Sequence, residues 1–282
     1  MFYMFIDIRK INDRIYIGII QKGKVKMGSL LSNRNILIMG LRNKWSIAWG
    51  IAKQARLDGA NLILTYQGER EREGAEELAA SLDNAAVFKC DISSDEEIDK
   101  LFADIKERFG VIHGLVHAIA HAKREDITNN FLSTSRDGFI HALNISAYSL
   151  LAVSRSAKEL MTEGGSIITL TYMGSERVFP GYNVMGVAKA ALESTVRYLA
   201  HDLGPFGIRV NAISAGPMKT ISSKAIKDFG SISGVFEEKN PLKKKLSQDE
   251  LGNAALFLLS DLSSAITGEI MFVDCGYNIM GI

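Results

Sequence analysis

From residue 35 onward, apolar and polar positions alternate in blocks rather than singly. Short apolar, β-prone runs stand at 35–40 (NILIMG), 61–66 (NLILTY), 85–90 (AAVFKC), 114–120 (GLVHAIA), 165–172 (GSIITLTY), 208–214 (IRVNAIS) and 269–274 (EIMFVD). Helix-length stretches lie between them at 46–58, 69–82, 94–109, 136–162, 183–203 and 248–260. The strand runs are almost continuously apolar, the pattern of parallel strands covered on both faces. Repeated βα units of this size predict an α/β fold. It is a single Rossmann-type, doubly wound, parallel seven-stranded sheet with helices on both faces. Local punctuation agrees. Asp58-Gly59 reads as a helix stop, and Ser93 or Ser94 followed by Glu96 and Glu97 reads as a helix start.

Two segments depart from this rhythm. Residues 217–247 follow a strand and mix Gly, Ser and Lys without a clear period. They predict one or two short helices in a substrate lid, since doubly wound folds place ligand contacts beyond the carboxyl ends of strands. Residues 1–26 carry six Lys or Arg against two Asp, a net +4, which leaves −3 for the rest of a chain whose total is +1. Charges interrupt the apolar residues there, and no small-residue cleavage site follows an apolar block. This argues against a signal peptide. The segment is read as an extension without a function of its own, a β-prone arm, with Met27 as an alternative start. One domain is expected over 27–282.

Composition narrows the class. The chain is 47% hydrophobic and 23% charged, the balance of a soluble globular protein. A net charge of +1 argues against a nucleic-acid partner. No apolar run approaches the roughly 18 residues of a membrane span. Cys90 and Cys275 are far apart and lack metal spacing, which points to a reducing compartment, read as the cytoplasm. His113, His117 and His121 recur every four residues, but in a strand that step is about 13 Å. No metal site is expected from them.

The strict dinucleotide fingerprint G-x-G-x-x-G is absent. Gly40 and Gly50 instead bracket a longer turn, with Ser46-Ile47-Ala48 opening the helix. Gly40 permits a tight exit from the strand. The amides of Ser46 and Ile47, aided by the helix dipole and the Ser46 hydroxyl, can hold a pyrophosphate. Gln67 stands at the end of the second strand, where an acidic residue often holds the adenosine ribose. It neither requires a free hydroxyl nor excludes a phosphate, and Arg70 could pair with a 2′-phosphate. NADH is favoured and NADPH stays open. Asp91 and Ile92 would flank the adenine.

In YNVMGVAK, Tyr182 and Lys189 stand seven residues apart. If the stretch is helical they share one face, two turns apart. Alone, such a pair is ordinarily packing plus a snorkelled charge. The blocks SIAWGIA, HAIAHA, TYMGSERVFPGYNVMGVAKA, RVNAISAGPMKT and SDLSSAITGEIMFVDCGY change that weighting. From about Met27 to the C-terminus the chain closely resembles the enoyl-acyl carrier protein reductases of bacterial type II fatty acid synthesis, in the short-chain dehydrogenase/reductase superfamily.

The resemblance implies that Tyr182 is the active-site acid or hydrogen-bond donor. It implies that Lys189 holds the nicotinamide ribose and makes the site electropositive. Tyr172 would line the pocket, and Ala122 would back the acyl thioester through its backbone. Cofactor contacts are implied at Gly40, Ser46, Ile47, Gln67, Asp91, Ile92, Ala118, Ile119 and Ala120, and along Met218, Lys219, Thr220, Ile221 and Ser222. An acyl carrier protein is the implied partner and a homotetramer the implied assembly. The chain departs from some members at Ala118 and Ala120, where they have serine or glycine, and at His121, where an aromatic is common. It has Gly230 and Ser231 where some carry further basic residues.

The chemistry gives the spacing a meaning. Hydride arrives at C3 of a trans-2-enoyl thioester, and negative charge appears on the oxygen attached to C1. Its donor should stand further from the nicotinamide than in a ketone reductase, whose oxygen sits on the carbon that takes the hydride. Aligned on Lys189, Met185 takes the usual tyrosine position and Tyr172 the usual serine position. Tyr182 lies three residues earlier, about 4.5 Å along a helix, the right order of size for a two-carbon offset. Lys224, Lys227, Lys243, Lys244 and Lys245 could meet an acidic carrier protein. Two alternatives remain open: another short-chain reductase acting on a ketone or alcohol, and a non-catalytic, cofactor-sensing Rossmann protein.

Overall fold

A computed structural model of the protein describes residues 6–11, 14–21, 24–26, 30–83, 85–218 and 229–281. The β-prone arm forms strands β1 (Ile6–Ile11), β2 (Arg14–Gln21) and β3 (Lys24–Lys26), paired antiparallel in a sheet of their own. The apolar runs that follow become β4 (Asn35–Met39), β5 (Asn61–Tyr66), β6 (Ala86–Lys89), β7 (Gly114–His117), β8 (Gly165–Thr171), β9 (Ile208–Ala215) and β10 (Ile270–Val273). These seven strands form one parallel sheet in the order β10-β9-β8-β7-β4-β5-β6.

Nine helices accompany the strands among the described residues: α1 (Ile47–Leu57), α2 (Glu69–Ala80), α3 (Asp95–Phe109), α4 (Arg124–Thr128), α5 (Arg136–Leu143), α6 (Ser149–Lys158), α7 (Val184–Leu203), α8 (Phe229–Lys239) and α9 (Gln248–Leu259). Successive β4 side chains point to opposite faces, as the pleat requires. Leu37 and Met39 join a core with α3, α6 and α7, while Ile36 and Ile38 join a core with α1, α2 and α9. Each face is therefore sealed by helices. Strand order reverses between β4 and β7, so the crevice for a ligand opens where Gly40 and Ala118 leave the sheet.

The expected caps form. Asp58 ends α1 and is followed by Gly59 at φ +88°, while the Ser94 hydroxyl accepts from the Glu97 amide at the start of α3. Helices α1 and α9 cross with almost no side chain between them. A Cβ on Gly50 would stand 2.6 Å from the Gln248 carbonyl oxygen, and one on Gly252 would stand 2.6 Å from the Gly50 carbonyl oxygen. The Gln248 amide then donates to the carbonyls of Ser46 (2.8 Å) and Lys44 (3.1 Å), bracing the turn that leads into α1.

Three elements differ from the sequence expectation. The helix expected over 136–162 is α5, a π-helical turn at Asn144–Tyr148, and α6. Side chains reshape the ladder there. The Ser149 hydroxyl donates to the Ile145 carbonyl (2.7 Å), and the Ser146 hydroxyl accepts from the His121 amide (3.0 Å). Such π turns concentrate at functional sites. Strand β7 stops at His117 rather than 120. The Ala118 amide still donates to the Met39 carbonyl (3.1 Å), and the chain then leaves the sheet. Finally, α7 starts at Val184 with Asn183 as its cap, so Tyr182 is not helical. Within the expected lid, α8 is described. Lys219, Thr220, Ile221, Ser222, Lys224 and Lys227 lie outside the described residues, as does Met27.

Candidate active site

The cofactor end is built on a close backbone approach. Gly40 has φ +89°, and a Cβ there would stand 2.2 Å from the Ala118 carbonyl oxygen. Only glycine lets the exit from β4 pass that close to the chain leaving β7. Ala118 and Ile119 are half-buried beside it, and Ala120 is exposed.

Ser46 plays a different part from the one expected. Its amide donates to the Asn43 carbonyl (3.1 Å), and so does its hydroxyl (2.7 Å), which also accepts from the Trp49 amide (3.2 Å). Ser46 caps α1 and shapes the turn. The amides of Ile47 and Ala48, in the first turn of α1, are the ones available to an anion.

At the adenosine end the Gln67 amide donates to Asp91 Oδ2 (3.2 Å). Burial pushes the Asp91 carboxyl up, but hydrogen bonds from Ser93 and Gln67 outweigh it and hold the group below its usual value. Gln67 is thus oriented by Asp91. Helix α2 brings Glu69 and Glu71 in its first turn, the Glu71 carboxylate accepting from the Gly68 amide (3.2 Å). Arg70 and Arg72 alternate with them, and Arg72 pairs with Glu69 (3.7 Å) and Glu76 (2.9 Å), so this edge carries both signs of charge. Ile92 is buried in the core, and Met218 packs against the core cluster on the other face.

The catalytic candidates converge where β8 ends and α7 begins. The rings of Tyr172 and Tyr182 meet edge-on, with centroids 5.1 Å apart at 72°, and Phe179 stands 5.0 Å from Tyr172. Burial raises both phenols above their ordinary value. Each hydroxyl therefore keeps its proton near neutral pH and can donate. Lys189 is 6% exposed, and its Nζ donates to the Leu170 carbonyl (2.7 Å). Burial pulls its ammonium down to about 8, against the attraction of the nearby Glu193 carboxylate.

Glu193, one turn beyond Lys189 on α7, carries no expectation from the sequence reading. It is 4% exposed and accepts from the Thr171 hydroxyl (2.6 Å). The i to i+4 step from a lysine to a glutamate was the available signal. Lys189 and Glu193 together fasten α7 to the last residues of β8, directly before Tyr172.

The three histidines occupy separate neighbourhoods. His113 Nδ1 accepts from the Asn35 amide (3.0 Å), and His121 Nδ1 contacts His141 Nε2 (2.7 Å). His117 is fully buried between Ser149 (2.8 Å) and Thr169 (3.0 Å), and burial followed by the Lys189 charge depresses it to about 3. With its pKa so far depressed, the His117 ring is neutral. Among the described residues no group of three or more potential metal ligands assembles.

The tyrosine–lysine pair keeps its neighbourhood but not the geometry expected for it. Tyr182 sits in the turn after Pro180-Gly181, and its carbonyl accepts from the Met185 amide (3.0 Å). A rise of about 4.5 Å along a helix therefore does not describe its offset. A turn creates the displacement instead. Met185 lies in the first turn of α7, is 6% exposed, and packs with Ala122, Ala142 and Val184, against which Tyr182 also lies.

A doubly wound parallel sheet with a glycine turn at its switch point, and a tyrosine and buried lysine beside it, defines a Rossmann-type protein with a short-chain reductase centre. The family described as enoyl-(acyl carrier protein) reductase matches residues 40–278, and the chain belongs to that family. It is 53% identical over 254 residues to the NADH-dependent enoyl-acyl-carrier-protein reductase FabI of Bacillus cereus, covering 89% of this chain and 99% of the relative. The FabI of Bacillus subtilis is 53% identical over 255 residues, covering 90% and 99%. Among solved structures, the Bacillus cereus reductase with NADP+ and an indole naphthyridinone superposes with a TM-score of 0.89, covering 90% of this chain and 100% of that one. The Anaplasma phagocytophilum enzyme in complex with NAD superposes with a TM-score of 0.88 at 44% identity, covering 90% and 97%.

Proposed function

We propose that this chain reduces the trans-2 double bond of an enoyl thioester carried on an acyl carrier protein, in fatty acid elongation, with NADH as cofactor. The observation that carries the reading is the displaced tyrosine. Tyr182 stands in a turn beside Tyr172, and a buried Met185 fills the position a ketone reductase gives to its tyrosine. The Gly40 approach to Ala118, the open first turn of α1 and the buried Lys189 fit a dinucleotide. When bound, NADH supplies the hydride that adds to C3.

The chain's own residues do the rest. Tyr182 donates to the thioester oxygen as charge develops there, and its proton is held by a raised pKa until that moment. Tyr172 closes the pocket beside it. Lys189 binds the nicotinamide ribose and supplies a buried positive field. Ala122, 8% exposed, backs the thioester through its main chain. Ile47 and Ala48 offer amides to the pyrophosphate. Gln67 and Asp91 hold the adenosine, with Ile92 behind them. Met218, packed against the core that includes α9, is assigned to the cofactor site, and residues 1–26 take no part in the reaction.

The π turn and helices α6 and α7 leave Tyr148, Leu151, Val187 and Tyr198 exposed, with Tyr198 at 73%. This apolar face supports self-association, proposed as a homotetramer, and light scattering that returns a monomer or dimer mass overturns it. Lys243, Lys244 and Lys245 are tied to the Glu238 carbonyl, Glu250 and Glu237 respectively, so a carrier protein must compete for them.

The deciding measurement follows absorbance at the nicotinamide band. A crotonyl thioester should oxidise NADH faster than NADPH, and an acetoacetyl thioester should not be turned over. With the acyl group on carrier protein, KM should rise with added salt. Turnover of the acetoacetyl thioester alone establishes the ketone-reductase alternative, and absence of oxidation with any enoyl thioester supports the cofactor sensor.

A further inference from the structure

Asn183 combines three features that its own helix does not explain. Its backbone lies at φ +45° and ψ −124°, a conformation natural to glycine and strained for any other residue. It occupies the cap position of α7, where an asparagine side chain ordinarily accepts from a first-turn amide, yet it makes no such bond. Its amide points the other way. Nδ2 donates to the carbonyls of Asn129 (2.7 Å) and Ile127 (3.0 Å) and lies 3.5 Å from that of Asp126. These carbonyls close α4 and have no partner within that short helix. With three acceptors around it, the terminal atom must be the nitrogen.

Glycine would relieve the strain, and turning the side chain back would cap α7. The one thing an asparagine in this conformation adds is a bridge from α7 to α4. That bridge spans two parts of the proposed site. Helix α4 starts two residues after Ala122, and Asn183 follows Tyr182 directly. Both ends meet in one small apolar cluster, where Ala122, Ala142, Val184 and Met185 pack with Ile127, Phe139 and Tyr182. The chain between β7 and α5 and the turn carrying Tyr182 are thereby held at a fixed separation.

We propose that Asn183 is a positioning residue for the Tyr182 hydroxyl. Its amide locks the Tyr182 turn to the end of α4, so that the donor and the segment backing the thioester keep one geometry. The inference rests on the proposed role of Tyr182 as donor. It predicts that the strain serves turnover rather than folding.

The test is a cycle of Asn183→Gly, Tyr182→Phe and the double variant. It reads kcat with a crotonyl thioester, the NADH dissociation constant by fluorescence, and Tm. Asn183→Gly should lower kcat about tenfold, part of the roughly 10²-fold that a misplacement of about 1 Å can cost. NADH affinity should stay within about twofold and Tm should hold or rise, because glycine accepts this backbone without strain. In the Tyr182→Phe background the same change should cost under about twofold, since its target is gone.

A wild-type kcat in Asn183→Gly overturns the proposal. So does an undiminished tenfold cost in the Tyr182→Phe background, which would mark the bridge as structural. Full activity in Tyr182→Phe alone removes the donor role, and the positioning role falls with it by a distinguishable result. Asn183→Asp keeps the shape and removes the donor. It should repeat the loss of kcat if the glycine variant folds poorly, and wild-type kcat there overturns the proposal equally.

Discussion

Replacing Tyr182 with phenylalanine lowers kcat on a crotonyl thioester by about 10²-fold or more, with NADH affinity unchanged. The size follows from what is removed. The phenol is the proposed donor to an oxygen that gains charge only as hydride arrives, so its loss falls on the transition state and not on cofactor binding. The substitution is clean because the ring stays. Its edge-on contact with Tyr172, at 5.1 Å between centroids, needs no hydroxyl. Steady-state kinetics checks it, and turnover within twofold of wild type removes Tyr182 from the reaction. The companion variant joins Met185→Tyr to Tyr182→Phe and asks whether position alone sets specificity. It should gain activity on an acetoacetyl thioester without recovering it on the crotonyl one.

Lys189→Ala lowers kcat/KM for NADH by about 10²-fold or more, raising KM and depressing kcat together. Both follow from the proposed double role of one group, binding the ribose and polarising the site. The effect has a pH signature. Burial depresses the ammonium to about 8, so it is charged at neutral pH and loses its proton as pH rises through that value. Wild-type kcat/KM, which reports the free enzyme, should therefore be level below pH ~8 and fall about tenfold per unit above it. The alanine variant should lack that limb. A limb that survives in Lys189→Ala belongs to another group, and normal cofactor affinity in that variant ends the ribose assignment.

Much of this architecture can be read along the chain, for a physical reason. Strands buried on both faces must be continuously apolar, and helix termini need caps, so β4, β5 and the ends of α1 and α3 stand out locally. The break between α5 and α6 does not, because Ser146 bends that helix through His121, 25 residues away. The turn at Tyr182 was nearer to hand. Pro180-Gly181 is a breaker pair, and it outweighs the helical spacing of Tyr182 and Lys189. Ser46 illustrates a third limit. A serine before a helix can face a ligand or cap its own helix, and the choice rests on the Asn43 carbonyl. Glu193 shows the converse, since its spacing was visible while its burial against Thr171 was not.

The Gly50–Gly252 crossing changes where inactivating substitutions should be sought. Helix α9 is remote in sequence from every residue of the proposed chemistry, yet it fixes the depth at which α1 sits. Through Gln248 it also holds the turn leading into α1. The helix whose first-turn amides are proposed to meet the pyrophosphate is thus aligned by an element that carries none of the residues assigned to the site. A methyl group at position 252 acts on the enzyme as a shim acts on a bearing: nothing in the working surfaces is altered, and they no longer meet.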